Sequence, residues 1–327
     1  MNIYDIAEKA GVSIATVSRV INQNGPVSKK TAEKVRRIIE EMGYKPNIFA
    51  QGLTTNSMKL IGVLTTNLVD LYYSAAIFSI EQNARKHGYD ILLSCSGGSV
   101  DDKKNHIGLL LEKRVDGIIL VGSVFQEERD NSHINEAARS VPVVLLNSFV
   151  EGKGVYSVFC DDAAGARSAV EHLAAGGRRH IGYIYDADTY SGLNKLSGYR
   201  EAMRVAGLSA LERKAMAGIA GGEQAMEALL AQGGVDGVVC AEDELAVGAM
   251  KTLARRGLAV PGDVAVIGYN NSLLARSATP ELASVDGKVG FLGQCALETV
   301  VNAIETGTAA EKAVVTPELI VRRSAEL

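Results

Sequence analysis

Residues 1–22 read MNIYDIAEKAGVSIATVSRVIN and contain two helical patterns joined by a tight turn at Gly11-Val12. Apolar residues recur at helical spacing on both sides of that turn: Ile3, Ile6, Ala7 and Ala10 before it, and Ala15, Val17 and Val20 or Ile21 after it. Two short helices around such a turn form a helix-turn-helix, in which the second helix lies in the major groove of DNA. A third helical pattern runs from Ser28 to Met42. The stretch therefore predicts a DNA-binding head.

The charge distribution favours the same interpretation. Residues 1–60 contain nine Lys and Arg and five Asp and Glu, so this part carries a net charge of +4. The remaining residues contain 25 basic and 33 acidic side chains, a net charge of −8. A solvated helix face would explain the basic segment alone, but next to a helix-turn-helix the positive charge favours contact with DNA phosphates.

Composition excludes several classes of protein. The chain has 327 residues, 47% of them hydrophobic, yet no apolar run reaches the roughly 18 residues of a membrane helix. The first residues show no signal peptide. Four cysteines without a C-x-x-C spacing predict reduced thiols in a cytoplasmic protein, with no disulfide, metal site or cofactor: Cys95, Cys160, Cys240 and Cys295. The absence of P-loop, G-x-S-x-G and H-E-x-x-H motifs argues against an enzyme.

The chain divides into three parts by pattern. We expect a helix-turn-helix domain at 1–46, a hinge helix and linker at 47–59, and a core at 60–327. In the core, β-branched apolar runs alternate with helical patterns, which predicts α/β architecture with parallel sheets covered on both faces. A weak internal repeat places V-D-G and two β-branched residues at 115–119 and again at 235–239. Two similar lobes suggest a clamshell with a ligand cleft at the carboxyl ends of the strands.

Several stretches resemble the lactose-repressor (LacI/GalR) family of bacterial transcription regulators, and the resemblance covers almost the whole chain. They include YDIAEKAGVSIATVSRVIN, GYKPN (43–47), AQGL (50–53), RVDGIIL (114–120), GYREAMRVAGL (198–208) and AVGAMKTLARRGLAVPGDVAVIGYN (246–270). The resemblance implies a helix-turn-helix head, a hinge helix and a two-lobed periplasmic-binding-protein-like core. It also implies a dimeric repressor that reads a pseudo-palindromic operator and is controlled by a small molecule.

The resemblance places the DNA contacts on the head. Ile14 and Ala15 open the recognition helix, where they can touch thymine methyl groups, and Arg19 is the candidate for a guanine contact. Core packing remains an alternative for Ala15, and a surface ion pair for Arg19. Short polar or basic residues are candidates for phosphate contacts: Ser13, Thr16, Ser18, Asn22, Lys29 and Thr31.

Residues 47–54 resemble the hinge helix of the family, which forms on the operator. Asn47 would cap this helix, and Leu53, with Ala50 beside it, would enter the minor groove and kink the duplex. A plain linker is the alternative, and Ile48 favours it because a basic residue is common there in the family.

The effector residues implied by the resemblance follow strand ends: Tyr72, Tyr73, Asp161, Lys195, Glu242 and Asn270. Lys195 stands where an arginine is frequent, and Asn270 where an aspartate is. Three accounts stay open at this stage: a sugar or sugar derivative, a charged or amine-bearing ligand met by Glu242, or a cleft without an effector. Each polar residue could also serve only in hydrogen bonds between the lobes.

A homodimer is expected through the helix that contains Ile77, Ile80 and Ala84, together with a counterpart near Met250. The C-terminal 20 residues lack a leucine heptad that would join dimers into a tetramer. The alternative function is a small-molecule binding protein that acts without DNA.

Overall fold

The computed structural model describes residues 2–22, 25–43 and 57–326. The chain separates into two compact units, one up to Lys59 and one from Leu60 onward. The hinge residues Asn47, Ala50 and Leu53 lie outside the described residues.

In its described residues the head has three helices: α1 (Ile3–Ala10), α2 (Ile14–Asn22) and α3 (Lys29–Glu41). Asn2 and Asp5 form a capping box at the start of α1, which satisfies amide groups that have no partner inside the helix. Gly11 ends α1 in the left-handed region, with φ of 64°, and this allows the tight turn into α2. The predicted helix-turn-helix is therefore confirmed.

A small apolar core holds the head together: Ile6, Ala7, Ala10, Val17, Val20, Val35 and Ile38 are all buried. Ala15 is exposed, so the alternative that it packs in this core was wrong. It stands two residues before Val17, which is a turn of about 200° around a helix, so the two side chains lie on nearly opposite faces.

The first lobe contains six strands and four helices. The strands are β1 (Leu60–Thr65), β2 (Asp90–Cys95), β3 (Gly117–Val121), β4 (Val143–Leu146), β5 (Val155–Cys160) and β11 (Lys312–Val315). The helices are α4 (Leu71–Lys86), α5 (Val100–Glu112), α6 (Ser132–Ala137) and α12 (Val289–Thr306). The strands form one parallel sheet in the order β11-β5-β4-β3-β1-β2.

The second lobe repeats this plan. Its strands are β6 (Ile181–Tyr185), β7 (Leu211–Lys214), β8 (Gly237–Cys240), β9 (Ala265–Tyr269), β10 (Ala283–Asp286) and β12 (Glu318–Ile320). Its helices are α7 (Asp162–Ala175), α8 (Tyr190–Val205), α9 (Ile219–Gln232), α10 (Asp243–Arg255) and α11 (Leu273–Ser277). The order is β12-β10-β9-β8-β6-β7, parallel except for β12 against β10. The predicted architecture of two lobes with parallel sheets is confirmed.

The chain crosses between the lobes more often than the sequence pattern indicates. Helix α12 follows a second-lobe strand, yet its apolar face, with Leu292, Leu297 and Val300, packs in the core of the first lobe. Strand β11 then pairs with β5, and β12 returns to the second lobe. The pattern missed β7, β10, β11 and β12 because these short strands carry few buried apolar residues or alternate them with polar ones.

The two helices expected at the dimer contact turn the apolar residues that mark them toward the protomer's own core. Ile77, Ile80 and Ala84 on α4 are buried in the first-lobe core, and Met250 on α10 is buried in the second. Helical apolar spacing reports a face turned toward a sheet as readily as a face turned toward a partner, so a dimer contact through these helices stays a prediction. The opposite face of α4 carries Phe78, which is 67% exposed.

Candidate DNA-binding head and effector cleft

The first turn of α2 presents an open apolar surface. Ile14 is 40% exposed, and Ala15 next to it is exposed as well. Just before the helix, the Ser13 hydroxyl accepts a hydrogen bond from the Thr16 amide at 3.2 Å and contacts the Thr16 hydroxyl at 2.9 Å. Because base edges are met by the N-terminal residues of a recognition helix, this cap fixes the part of α2 that would read DNA.

Arg19 lies on the exposed side of α2, one turn further on. Its aliphatic stem runs beside Gly25, where a Cβ would stand 3.5 Å from Cδ of Arg19. The guanidinium makes no ion pair with a described residue, so the ion-pair alternative gains no support. A guanidinium that is not engaged in this way keeps its donors available for a bidentate pair with guanine.

The other predicted DNA contacts lie on α2 and at the start of α3. Ser18 is partly exposed on α2, and Asn22 is the last residue of that helix. At the start of α3, Lys29 is exposed, while Thr31 donates its amide to the Ser28 cap at 3.2 Å. The sequence reasoning missed Tyr4 on α1, which is 65% exposed and stands two residues before the buried Ile6. In a helix-turn-helix the first helix crosses the DNA backbone, so Tyr4 is a further candidate for a phosphate contact.

A cleft between the two lobes, with a volume of about 340 Å³, opens at the carboxyl ends of β1, β3, β6, β8 and β9. Tyr72 and Tyr73 line it from the first turn of α4. Asp70 caps this helix, since its Oδ1 accepts from the amides of Tyr72 at 2.8 Å and Tyr73 at 3.0 Å. The site therefore lies where ligands bind in open α/β sheets, outside the carboxyl ends of the strands.

Gly122, directly after β3, shapes the wall beside Tyr73. Its φ is 123°, a conformation that favours glycine, and a Cβ there would lie 2.7 Å from Cε1 of the tyrosine ring. The Tyr73 ring therefore packs on bare backbone.

Three predicted effector residues form one chain of hydrogen bonds. Nζ of Lys195 donates to the Ala241 carbonyl at 3.0 Å and to Oε1 of Glu242 at 3.1 Å. Oε2 of Glu242 accepts a hydrogen bond from Nδ2 of the Asn270 side chain. The Lys195 ammonium also lies 4.1 Å from the centre of the Tyr269 ring. Hydrogen bonds thus link a side chain of α8 to side chains that closely follow β8 and β9, and all three line the cleft.

Burial and neighbouring charges shift the acidity of this group. Burial raises the pKa of Glu242 from its ordinary 4.5 to about 7, and Asp186 and Asp70 add to that increase while Lys195 opposes it. Burial alone would lower the pKa of Lys195, but the carboxylates of Glu242 and Asp162 raise it overall, so this lysine stays protonated. Burial also raises the pKa of Tyr72 and Tyr73, and both hydroxyls stay neutral.

Asp161 occupies a different place from the other predicted effector residues. Its side chain is exposed and caps α7, accepting from the Ala164 amide at 3.0 Å, and it is not among the described residues that line the cleft. The next residue, Asp162, is buried and accepts from the Tyr269 hydroxyl at 2.9 Å. Burial raises the pKa of Asp162.

The structure adds polar residues to the cleft that the sequence reasoning did not single out: Asp70, Ser123, Asn147, Asp186 and Ser191. Ser123, Asn147 and Asp186 each follow a strand end closely, and this position was the available signal. Ser123 donates to the Thr189 hydroxyl at 2.9 Å, a direct contact between the first and second lobes.

No helix among the described residues is long and apolar enough to cross a membrane. Within the same residues, no group of three or more His, Cys, Asp or Glu side chains is arranged to hold a metal ion.

A helix-turn-helix head joined to a two-lobed core with a polar cleft defines the class of ligand-responsive DNA-binding proteins. Residues 2–47 match the bacterial regulatory proteins of the lacI family, and residues 170–325 match the periplasmic binding protein-like domain. The chain is 43% identical to an HTH-type transcriptional regulator of Lachnoclostridium phytofermentans, over 99% of each chain. It is 32% identical to catabolite control protein A of Priestia megaterium, over 98% of this chain and 97% of that protein.

Solved structures give the same result. The lac repressor dimer bound to operator and the anti-inducer ONPF superposes with a TM-score of 0.92 at 28% identity, over 99% of each chain. A complex of the transcriptional regulator CelR with cellobiose gives a TM-score of 0.74 at 29% identity, again over 99% of each chain. The chain belongs to the lacI family of bacterial regulatory proteins. It is a helix-turn-helix transcriptional regulator with a periplasmic-binding-protein-like effector domain.

Proposed function

We propose that the protein is a repressor that binds a pseudo-palindromic operator as a homodimer and changes its DNA affinity when a small molecule occupies the interlobe cleft. The observation that carries this proposal is the presence, in one chain, of an exposed recognition-helix surface and a polar cleft between two lobes. The domains would be the DNA-binding head at 1–46, the hinge and linker at 47–59, and the effector and dimerisation core at 60–327.

In this proposal the head reads DNA through two kinds of contact. Ile14 and Ala15 meet thymine methyl groups and Arg19 pairs with a guanine, which together give sequence preference. Polar and basic side chains hold phosphates and set the register: Ser13, Thr16, Ser18, Asn22, Lys29 and Thr31. At the operator centre, Leu53 would enter the minor groove beside Ala50, from a hinge helix that Asn47 caps.

The effector would be a sugar or sugar derivative held by Tyr72, Tyr73, Lys195, Glu242 and Asn270. Asp161 is included among the effector residues on the family resemblance alone. In the structure its side chain caps α7. An effector that fits one lobe arrangement better than the other shifts the protein toward that arrangement, and the gain equals its difference in binding free energy between the two. The hydrogen bond between Ser123 and Thr189 joins the lobes at the cleft, so we expect it to change when the lobes move relative to each other.

The oligomer and the cellular location follow from the proposed activity. Two heads related by a two-fold axis match the two halves of a pseudo-palindrome. The lac repressor in the matched structure is a dimer on its operator, which supports the same assembly for this chain. A regulator of bacterial DNA acts in the cytoplasm, and this one would act by binding alone, without catalysis.

The test is selection of bound sequences from random DNA with the purified full-length protein at a stated salt concentration. We expect a pseudo-palindrome with a pyrimidine–purine step at its centre, because such steps kink easily. Arg19→Met should lower affinity for the selected sequence by about 1–3 kcal/mol and relax preference at one base of each half-site.

Arg129→Met is the matched control, because Arg129 is an exposed arginine of the effector domain at 60–327 and its loss should leave the selected sequence unchanged. Enrichment of no palindrome, with or without added cell extract, would contradict the proposal. A small-molecule binding protein that acts without DNA would give that result.

A further inference from the structure

The cleft carries an excess of negative charge. Among the described residues that line it, the carboxylates of Asp70, Asp186, Glu242 and Glu244 face a single ammonium, that of Lys195. Asp243 also lines it, but this side chain is buried and accepts from the Ser284 hydroxyl at 2.6 Å and from the Ser272 amide at 2.7 Å. Low-dielectric walls focus the field of such a group of charges, so the cleft attracts cations and repels anions.

The single cation among the described lining residues is already engaged. Lys195 is 3% exposed, and its ammonium binds the Ala241 carbonyl and the Glu242 carboxylate while lying over the Tyr269 ring. Two of its three N–H groups are used in this way, so it offers little to an anionic ligand. In contrast, Asp186 and Oδ2 of Asp70 accept no hydrogen bond from any described residue. The groups available to a ligand are therefore carboxylate oxygens.

These carboxylates come from both lobes. Asp70 belongs to the first lobe, at the start of α4, and Asp186 follows β6 in the second. Both lie close enough to Glu242 to act on its ionisation. Closure of the lobes thus brings like charges together, which opposes closure unless a cation lies between them.

Other polar groups of the lining suit a ligand that carries several hydroxyl groups. The Tyr72 hydroxyl is shielded from solvent and has no hydrogen-bond partner among the described residues, although it lines the cleft. Asn67, Ser123 and Asn270 add amide and hydroxyl groups around it. A buried polar group without a partner is destabilising, and a ligand hydroxyl would satisfy this one.

We propose that the effector is a polyol with a primary ammonium group, such as an amino sugar, whose ammonium lies between the carboxylates of Asp70, Asp186 and Glu242. This inference rests on the proposed function of the cleft as the effector site and specifies the chemical class of the effector. The ammonium removes the repulsion between carboxylates of the two lobes, so it couples binding to lobe closure.

The experiment is calorimetric titration of the full-length protein with matched sugars in three configurations, gluco, galacto and manno. Each series contains the amino sugar, the parent hexose, the N-acetyl amino sugar and the uronate. We expect the amino sugar of at least one series to bind about tenfold or more tighter than its parent hexose and its N-acetyl form. The uronates should not bind, and added salt should weaken the amino sugar alone.

Two variants locate the effect. Asp186→Asn should weaken the amino sugar by about tenfold and change the parent hexose less than twofold. Asp188→Asn is the matched control, because Asp188 is exposed, pairs with Lys214 and is not among the described lining residues. It should leave both ligands unchanged.

Equal or tighter binding of a parent hexose in every series would overturn the inference while leaving an effector site in place. Binding of no member of the panel would also overturn it. The proposed function is judged separately, by the DNA selection, which needs no small molecule.

Discussion

Replacement of Lys195 by methionine would remove the only positive charge among the described residues that line the cleft. Lys195 is 3% exposed, and its ammonium lies at hydrogen-bond distance from Glu242 and the Ala241 carbonyl, with Asp162 close enough to act on its ionisation. Methionine keeps most of the aliphatic packing, so the change isolates the charge. Loss of one partner of a buried ion pair destabilises proteins by about 3–5 kcal/mol, and we expect a decrease in the free energy of unfolding in that range.

The measurement is urea unfolding of the full chain at pH 8, followed by circular dichroism. At that pH Glu242, whose pKa is about 7, is ionised. The loss of Lys195 therefore lowers the free energy of unfolding most under these conditions. Lys104→Met is the control, because this exposed lysine lies outside the cleft lining and its loss should change stability by about 0.5 kcal/mol or less.

The double variant Lys195→Met/Glu242→Gln separates charge from packing. Removal of Glu242 relieves the uncompensated carboxylate, so the two changes should be non-additive by about 1 kcal/mol or more. A loss below about 1 kcal/mol for Lys195→Met, or additivity within about 0.5 kcal/mol, would refute the view that Lys195 neutralises the cleft.

Three further predictions concern the cleft and the head. The folded chain holds the Glu242 proton more tightly than the unfolded chain, so its contribution to the free energy of unfolding falls as pH rises from about 4.5 to about 7. Glu242→Gln should lose that part of the slope in unfolding curves at pH 5, 6 and 8, and an unchanged slope would contradict the assignment. Gly122→Ala should reduce stability by about 2–4 kcal/mol through backbone strain and the collision with Tyr73, whereas Gly98→Ala, with open space around it, should change little in a thermal melt. Ser13→Ala should weaken the start of α2 by about 0.5–2 kcal/mol, seen as faster hydrogen exchange of the Thr16 amide; unchanged protection would show that the cap is dispensable.

Local patterns in the sequence determined much of this protein. The helical periodicity of residues 3–21 and the turn at Gly11 predicted the head, because helix spacing and a left-handed glycine are properties of neighbouring residues. The continuous apolar runs predicted the central parallel strands, since strands covered on both faces need apolar residues throughout. The family resemblance supplied the predicted residues that do line the cleft: Tyr72, Tyr73, Lys195, Glu242 and Asn270.

Other features were decided only by the tertiary structure. The edge strands β11 and β12 and the placement of α12 on the first lobe depend on pairings between segments far apart in the sequence. Whether Ala15 faces the core or solvent, and whether Asp161 or Asp162 is buried, depends on how a helix is rotated against its neighbours. The charge balance of the cleft likewise requires the fold, because Asp70, Lys195 and Glu242 meet only when the carboxyl ends of strands in both lobes face one cavity. Periodicity within a segment fixes which residues share a face, whereas contacts between segments fix what that face meets.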